Sequence, residues 1–422
     1  MTNKLTYLLL LFTYCLFAQE KEDITNTQDI VITPEVMLGY TPEPNSNFPE
    51  RNPQTQFGVS LGWNQQDNRQ EWAQRLKGPR TGLYFGYTDF GAKDSLGGAF
   101  TIMPFIEFAA FKKENLTVQV GTGVSYFTKK YDSLTNFNNQ AVSTDLNWSF
   151  RVFMYYKFLK TEKIDWRLGG GYSHHSNGHT KLPNQGYNSF LFSVSAVLKN
   201  TTLPKNSENE IPSKTFNNTS YSYFSLRSGY GENVLALSFN DKKDIYTFSG
   251  EYGKVFNNTW KLGVGMYYRY YEHYYDYIHG NFSLVQDGRE FESFKENPGW
   301  NASNLGISVN AEVLLNHIGI DLQLGVNLHK PGYKIDWRIN QGWDYTPVDI
   351  PEWWMVGEFD SKYKMKSLIS SRLGLKYYLL GTHTAPKNNL YLGIYINANL
   401  GQADYTELSL GYVHSFNFKE KK

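Results

Sequence analysis

The sequence holds a single cysteine, Cys15, and places it in an N-terminal apolar run, Leu5 to Phe17, that follows Lys4. That run has the length of a signal-peptide core and is too short to cross a bilayer as a helix. Ala18 and Gln19 then offer a small residue for cleavage, so residues 1–18 are expected to be removed on export. Without Cys15 the mature chain has no disulfide and no thiol nucleophile. Charge of one sign is also lacking. Lys and Arg number 41 against 40 Asp and Glu, and a net charge of +1 provides no basic field for nucleic acid. After Ala18 no stretch is apolar enough for a transmembrane helix, in line with a mean hydropathy of −0.50. There is no glycine-rich nucleotide loop and no clear internal repeat.

What the chain has instead is 32 Tyr, 36 Gly and an aromatic share of 17%, a composition suited to many strands and turns. Several runs alternate cleanly. Leu116, Val118, Val120, Val124 and Tyr126 form one row against Thr117, Gln119, Gly121, Gly123 and Ser125. Ile318 to Leu328, Leu390 to Leu400 and Glu407 to Phe418 repeat the design, each long enough for a tilted strand to span a membrane. A barrel hides its hydrophobicity in every second residue, so low mean hydropathy does not argue against a membrane. The expected fold is all-β: an antiparallel transmembrane β-barrel of about 14–16 strands over residues 19–422, with long extracellular loops. Tyr221 to Tyr252 is where the strand tally is least certain. Short polar turns at 112–115 and 160–163 contrast with long segments at 129–143, 273–301 and 330–366. This is the asymmetry of periplasmic turns and external loops.

The candidate chemistry lies in residues 172–190. The strand beginning at Ile164 places His174 and Ser176 on the row of Trp166, Leu168 and Tyr172, and sends Asp165, Arg167, Ser173 and His175 to the other face. A base–nucleophile pair therefore lies on the apolar face of a barrel strand, at its outer end. Asn188 has the parity of Phe190, Phe192 and Val194 and would stand beside the pair across a hairpin. Its amide oxygen can fix the imidazole tautomer, giving a Ser–His–Asn hydrolase: Ser176 attacks an ester, His174 moves the proton and Asn188 orients His174. Asn177, Gly178, Asn184 and Gly186 are candidate oxyanion donors. A metal reading of His174, His175 and His179 is disfavoured, because alternation turns His175 into the lumen. Asp165, Arg167 and Asp321 are expected in a polar plug of ion pairs, and Trp353 and Trp354 against the rim.

The run His174-His175-Ser176-Asn177 followed by Lys181-Leu182-Pro183-Asn184-Gln185-Gly186 resembles the H-x-S-N … K-x-P-N-x-G signature of PagL-type lipid A 3-O-deacylases, also called acyloxyacyl hydrolases. The resemblance implies an outer-membrane barrel that removes an acyl chain from lipid A. It also implies an oxyanion role for Asn184 and for a main-chain N–H just after Ser176. The family's acidic third member falls on Asn188, and a glycine of its oxyanion loop falls on His179, beside Gly178. His174, Ser176, Asn177, Gly178 and Asn188 are similar as well to the H-x-S-N-G and following Asn of outer-membrane phospholipase A, a resemblance that would imply calcium and a dimer. Otherwise no cofactor or metal is expected. The expected partner is lipid A, lipopolysaccharide or phospholipid of the outer leaflet in the Gram-negative outer membrane. The competing class is a structural or pore barrel with a degenerate motif.

Overall fold

The computed structural model describes residues 30–111, 115–199, 216–342 and 345–421. The expected leader at 1–18 and most of the expected turn at 112–115 lie outside these. Among the described residues there are sixteen strands. The first eight are β1 Ile30–Tyr40, β2 Gln54–Asn64, β3 Arg80–Asp89, β4 Gly98–Ala109, β5 Leu116–Phe127, β6 Leu146–Lys160, β7 Ile164–Ser176 and β8 Tyr187–Leu198. The rest are β9 Asn218–Asn233, β10 Lys243–Phe256, β11 Trp260–Tyr271, β12 Ser303–Leu315, β13 Ile318–His329, β14 Ile369–Tyr378, β15 Asn388–Asn399 and β16 Gln402–Lys421. The region 221–252 resolves into most of β9 and β10.

The sixteen antiparallel strands close as two rings of eight, not as the single barrel expected over 19–422. β8 pairs back onto β1, from Ile32↔Leu198 to Tyr40↔Phe190, and β16 pairs back onto β9. Alternation is the same along a strand whichever ring it joins, so the inward and outward rows were legible while the closure was not. Eight strands enclose a bore just wide enough for side chains to fill.

Both bores are filled. In the first, Glu107 receives Arg80 at 2.5 Å and Arg167 at 2.9 Å, Arg151 pairs with Glu35 at 3.0 Å, and Met37, Tyr84 and Phe153 pack around them. In the second, Glu312 receives Lys261 and Lys376 at 3.0 and 2.7 Å, and Asp321 receives Arg372 at 2.7 Å. Arg167 and Asp321 thus belong to plugs, whereas Asp165 pairs with Lys199 near the opposite strand end. The outer walls are apolar, with Val36, Phe57, Leu168 and Phe192 on the first ring and Phe248, Val264, Leu324 and Leu410 on the second, all exposed. Polar inside and apolar outside suits a bilayer and would be costly in water. Among the described residues no helix is long and apolar enough to cross a membrane; the crossing is made by strands.

The long connections at 128–145, 272–302 and 330–368 and the motif loop at 177–186 all follow odd-numbered strands, so they share one end of the rings. Over the second ring they build a cap. Helices Glu272–His279 and Tyr333–Asn340 bury Tyr274, Tyr277, Ile278, Ile335 and Ile339 with Leu284, Phe291 and Ile350. Trp354 packs on this cap while Trp353 stays exposed. His273 is buried at its base, where Nδ1 lies 2.6 Å from Asn233 Oδ1. Asn233 Nδ2 donates to the Asp404 carbonyl, which orients the amide and makes His273 Nδ1 the donor.

Burial, assisted by His179 and Lys243, pulls the His273 pKa down from 6.5 to about 3. Because the folded value lies below the unfolded one, the unfolded cap takes up the proton first. The stabilisation is complete above about pH 6.5 and is lost as pH falls from there toward 3, reaching on the order of 2 kcal/mol by pH 4.5. Hydrogen-exchange protection factors in 272–302, measured relative to the intrinsic rate at each pH, should therefore fall roughly 30-fold between pH 7 and 4.5 in the wild type, and much less in His273→Gln. An equal fall in both would assign the effect elsewhere.

Candidate active site

β7 leaves the short turn at 161–163 and delivers Tyr172, His174 and Ser176 at its outer end. Arg167, Ser173 and His175 point into the bore. His175 is tied there by Ser149 Oγ at 2.8 Å and lies edge-on to Phe127. The antiparallel β7–β8 ladder, joined by the loop 177–186, sets His174 directly opposite Asn188. Asn188 Oδ1 lies 2.8 Å from His174 Nδ1, and the same oxygen accepts the Tyr172 hydroxyl at 2.6 Å. With the amide so oriented, His174 Nδ1 carries the hydrogen and Nε2 keeps its lone pair. Tyr172 shares a row with His174, so alternation put it within reach, but nothing in its spacing announced a bond to Asn188.

Ser176 is held by a different set. Its Oγ accepts from Asn184 Nδ2 at 2.9 Å and from Gly178 N–H at 3.2 Å. The Asn184 amide is turned by the Asn177 N–H, which donates to Asn184 Oδ1 at 3.0 Å. The main-chain N–H that reaches Ser176 is therefore that of Gly178, and the N–H immediately after the serine serves Asn184. The Asn177 side chain bonds the Lys181 carbonyl and Ser143, and its Oδ1 accepts the His179 N–H at 3.0 Å. Asn177 and His179 thus shape the loop, and their own donors do not face Ser176. Among the described residues no direct hydrogen bond joins His174 to Ser176.

Two glycines are needed here. Gly178 has φ +68, and a Cβ on it would strike the Thr406 hydroxyl of β16. Gly186 has φ +75, and its Cβ would press on His174 Cε1 at 3.0 Å.

That Thr406 belongs to the other ring corrects the expectation of a site facing open lipid. The outward parity is as expected, yet the space outside is bounded by the second barrel. Trp148, paired with Ser176 in the β6–β7 ladder, donates from Nε1 to Thr406 Oγ1 at 2.9 Å. Val234 N–H donates to the His179 carbonyl at 3.2 Å. Asn240 grips Leu182 twice, accepting its N–H at 2.8 Å and donating to its carbonyl at 2.7 Å. His174, Ser176, Asn184 and Asn188 line a cleft of about 850 Å³ between the barrels. Sequence spacing could not have shown Thr406, Val234 or Asn240 here, because only the docking of the rings brings them in.

Polar bores and apolar walls define a class, the membrane β-barrel proteins, and this one carries a serine and an imidazole at its outer rim. Two family models match the chain: "Lipid A 3-O-deacylase (PagL)" over residues 27–196, and "Acyloxyacyl hydrolase, C-terminal domain" over 218–341. The chain belongs to this PagL-type lipid A 3-O-deacylase and acyloxyacyl hydrolase family. The first match coincides with the first ring, and the second opens at β9. Among solved structures, the outer membrane enzyme PagL is 20% identical, covering 39% of this chain and 97% of its own, with a TM-score of 0.27. The NanC porin is 7% identical, covering 91% and 100%, with a TM-score of 0.16. The Pseudomonas aeruginosa outer membrane protein opdK is 9% identical, covering 93% and 100%, with a TM-score of 0.19. No curated protein matches the chain.

Proposed function

We propose that this protein deacylates lipid A in the outer leaflet, with Ser176 as nucleophile, His174 as general base and acid, and Asn188 as the group that orients His174. The supporting observation is an imidazole whose Nδ1 is tied to Asn188, with Nε2 left bare. It lines the same outer-rim cleft as a serine whose Oγ already touches two N–H donors. Ser176 Oγ adds to the ester carbonyl carbon and His174 Nε2 takes the hydroxyl proton. The carbonyl oxygen, now an anion, sits on the carbon bonded to Oγ. Donors that reach Oγ therefore need only a small shift to reach it, which gives Gly178 N–H and Asn184 Nδ2 the oxyanion role. Collapse breaks the bond to the sugar oxygen, which leaves with the proton from His174. Water, deprotonated by His174, then releases the fatty acid from Ser176.

The test is mass spectrometry of lipid A from outer membranes with and without the protein. Loss of one ester-linked acyl chain is expected, and identical lipid A in the two would overturn the reading. A second reading, a structural barrel with a degenerate motif, draws on the missing His174–Ser176 hydrogen bond and on Asn in place of an acid. It expects no fatty-acid release by purified wild type from either lipid A or phospholipid, and no dependence on calcium.

Tyr172→Phe removes one of the two donors on Asn188 while keeping the ring contact with Phe190 at 5.5 Å. Its kcat should drop roughly three- to tenfold with KM unchanged, as fits a hydrogen bond worth about 1 kcal/mol. A change in KM alone would place Tyr172 in substrate binding instead.

A further inference from the structure

The cleft at Ser176 has a far wall that belongs entirely to the second barrel. Leu373 of β14 and Ile396 of β15 are paired in the ladder, with Ala398 one outward position further on, and all three line the cleft. Lower on the same outward row, Leu390, Leu392 and Ile394 are exposed, as expected for a wall in lipid, whereas Ile396 and Ala398 are half-covered where the first barrel faces them. Phe150 and Tyr172 supply the apolar near wall. A slot with hydrocarbon on both sides and a nucleophile at one end suits an acyl chain.

Above the slot, helix Ser361–Leu368 brings Lys362 and Lys366 into the same lining, one turn apart. Like charges at this spacing repel. Among the described residues neither lysine is in an ion pair, and Lys366 Nζ donates to Gln402 Oε1 at 2.8 Å. Burial and then the neighbouring Lys362 pull the Lys366 pKa down, outweighing the opposing pull of Asp336 and Asp360. The bonds from Trp148, Asn240 and Val234 hold this assembly against the motif loop itself.

We propose that the second barrel completes the substrate site. Its Leu373, Ile396 and Ala398 form the outer wall of the acyl slot, and Lys362 with Lys366 bind a phosphate of the phosphorylated glycolipid headgroup. This rests on the lipid A reading and deepens it, assigning to the C-terminal ring the recognition of substrate that the first ring cleaves. Lysines act as point charges toward phosphate, so the pair selects for phosphorylation, not for one sugar geometry.

The test is binding, so it does not depend on turnover. Full-length Ser176→Ala protein in detergent is titrated with phosphorylated lipid A and with enzymatically dephosphorylated lipid A. The phosphorylated form should bind roughly tenfold more tightly, as expected for a charge-assisted contact, and Lys362→Gln/Lys366→Gln should erase that preference. Ala398→Trp, which fills the slot, should weaken both forms. Because the lysines are on a surface helix, their variants report even where Ala398→Trp does not fold. No preference in the parent, or a preference that survives the double substitution, overturns the proposal. Hydrolysis of a short soluble ester by the wild type, measured separately, tests Ser176 chemistry alone and so separates failure of the hydrolase reading from failure of this one.

Discussion

Ser176→Ala in the full chain is expected to cut fatty-acid release by roughly 10⁴-fold or more while leaving both barrels folded. The hydroxyl is the only group in the proposed mechanism that bonds to the substrate, and alanine offers no substitute. What folding loses is small: the Gly178 N–H and Asn184 Nδ2 give up one acceptor, worth about 1 kcal/mol, against ladders that run around two closed rings. His174→Ala should lose a similar factor, and the double variant little more, because base and nucleophile act as one unit. Release of fatty acid is followed in mixed micelles, and folding by heat-dependent gel mobility. Full activity in Ser176→Ala would remove the serine from the chemistry, and an unfolded variant would make it structural.

Glu107→Ala should be the most damaging substitution for stability, at about 3–5 kcal/mol, with the site residues untouched. Glu107 is fully enclosed in the first bore between Arg80 and Arg167, at 2.5 and 2.9 Å, and also accepts from Gln119 at 3.2 Å. Removing it takes from two guanidinium groups the carboxylate they share, leaving in the closed space only Glu35, already paired to Arg151, and an eight-stranded bore has little room for water to replace it. Glu107→Gln keeps the volume and two polar atoms but not the charge, and should fall between the two. Urea titration of the barrel refolded in detergent reads the difference. A midpoint equal to wild type would show that the arginines find other partners.

The strands were readable because each burial requirement repeats every second residue. β5, β13, β15 and β16 all stand on runs whose apolar and polar rows separate by eye. The same periodicity put His174 and Ser176 on the outward row and His175 inside. It also gave Asn188 the outward parity of His174, and the β7–β8 register then sets the two directly across from each other. The division into two rings was not readable. β8 could hydrogen-bond to β1 or to β9 with the same rows facing out, and a barrel of sixteen would look identical strand by strand. The donors at Ser176 were only half legible. Asn184 was named from the motif, but the exchange of roles between Asn177 and Gly178 depends on the loop's positive-φ turn.

By itself the sequence determined an all-β membrane protein with a serine, an imidazole and an amide brought together by one pair of strands, since alternation is a local property of the chain. Only the tertiary structure decided what that pair faces. Thr406, Asn240, Lys362 and Ile396 reach the site through ring closure and through docking of one closed surface on another. Those contacts join residues from 58 to more than 200 positions apart, a distance over which no periodicity carries information.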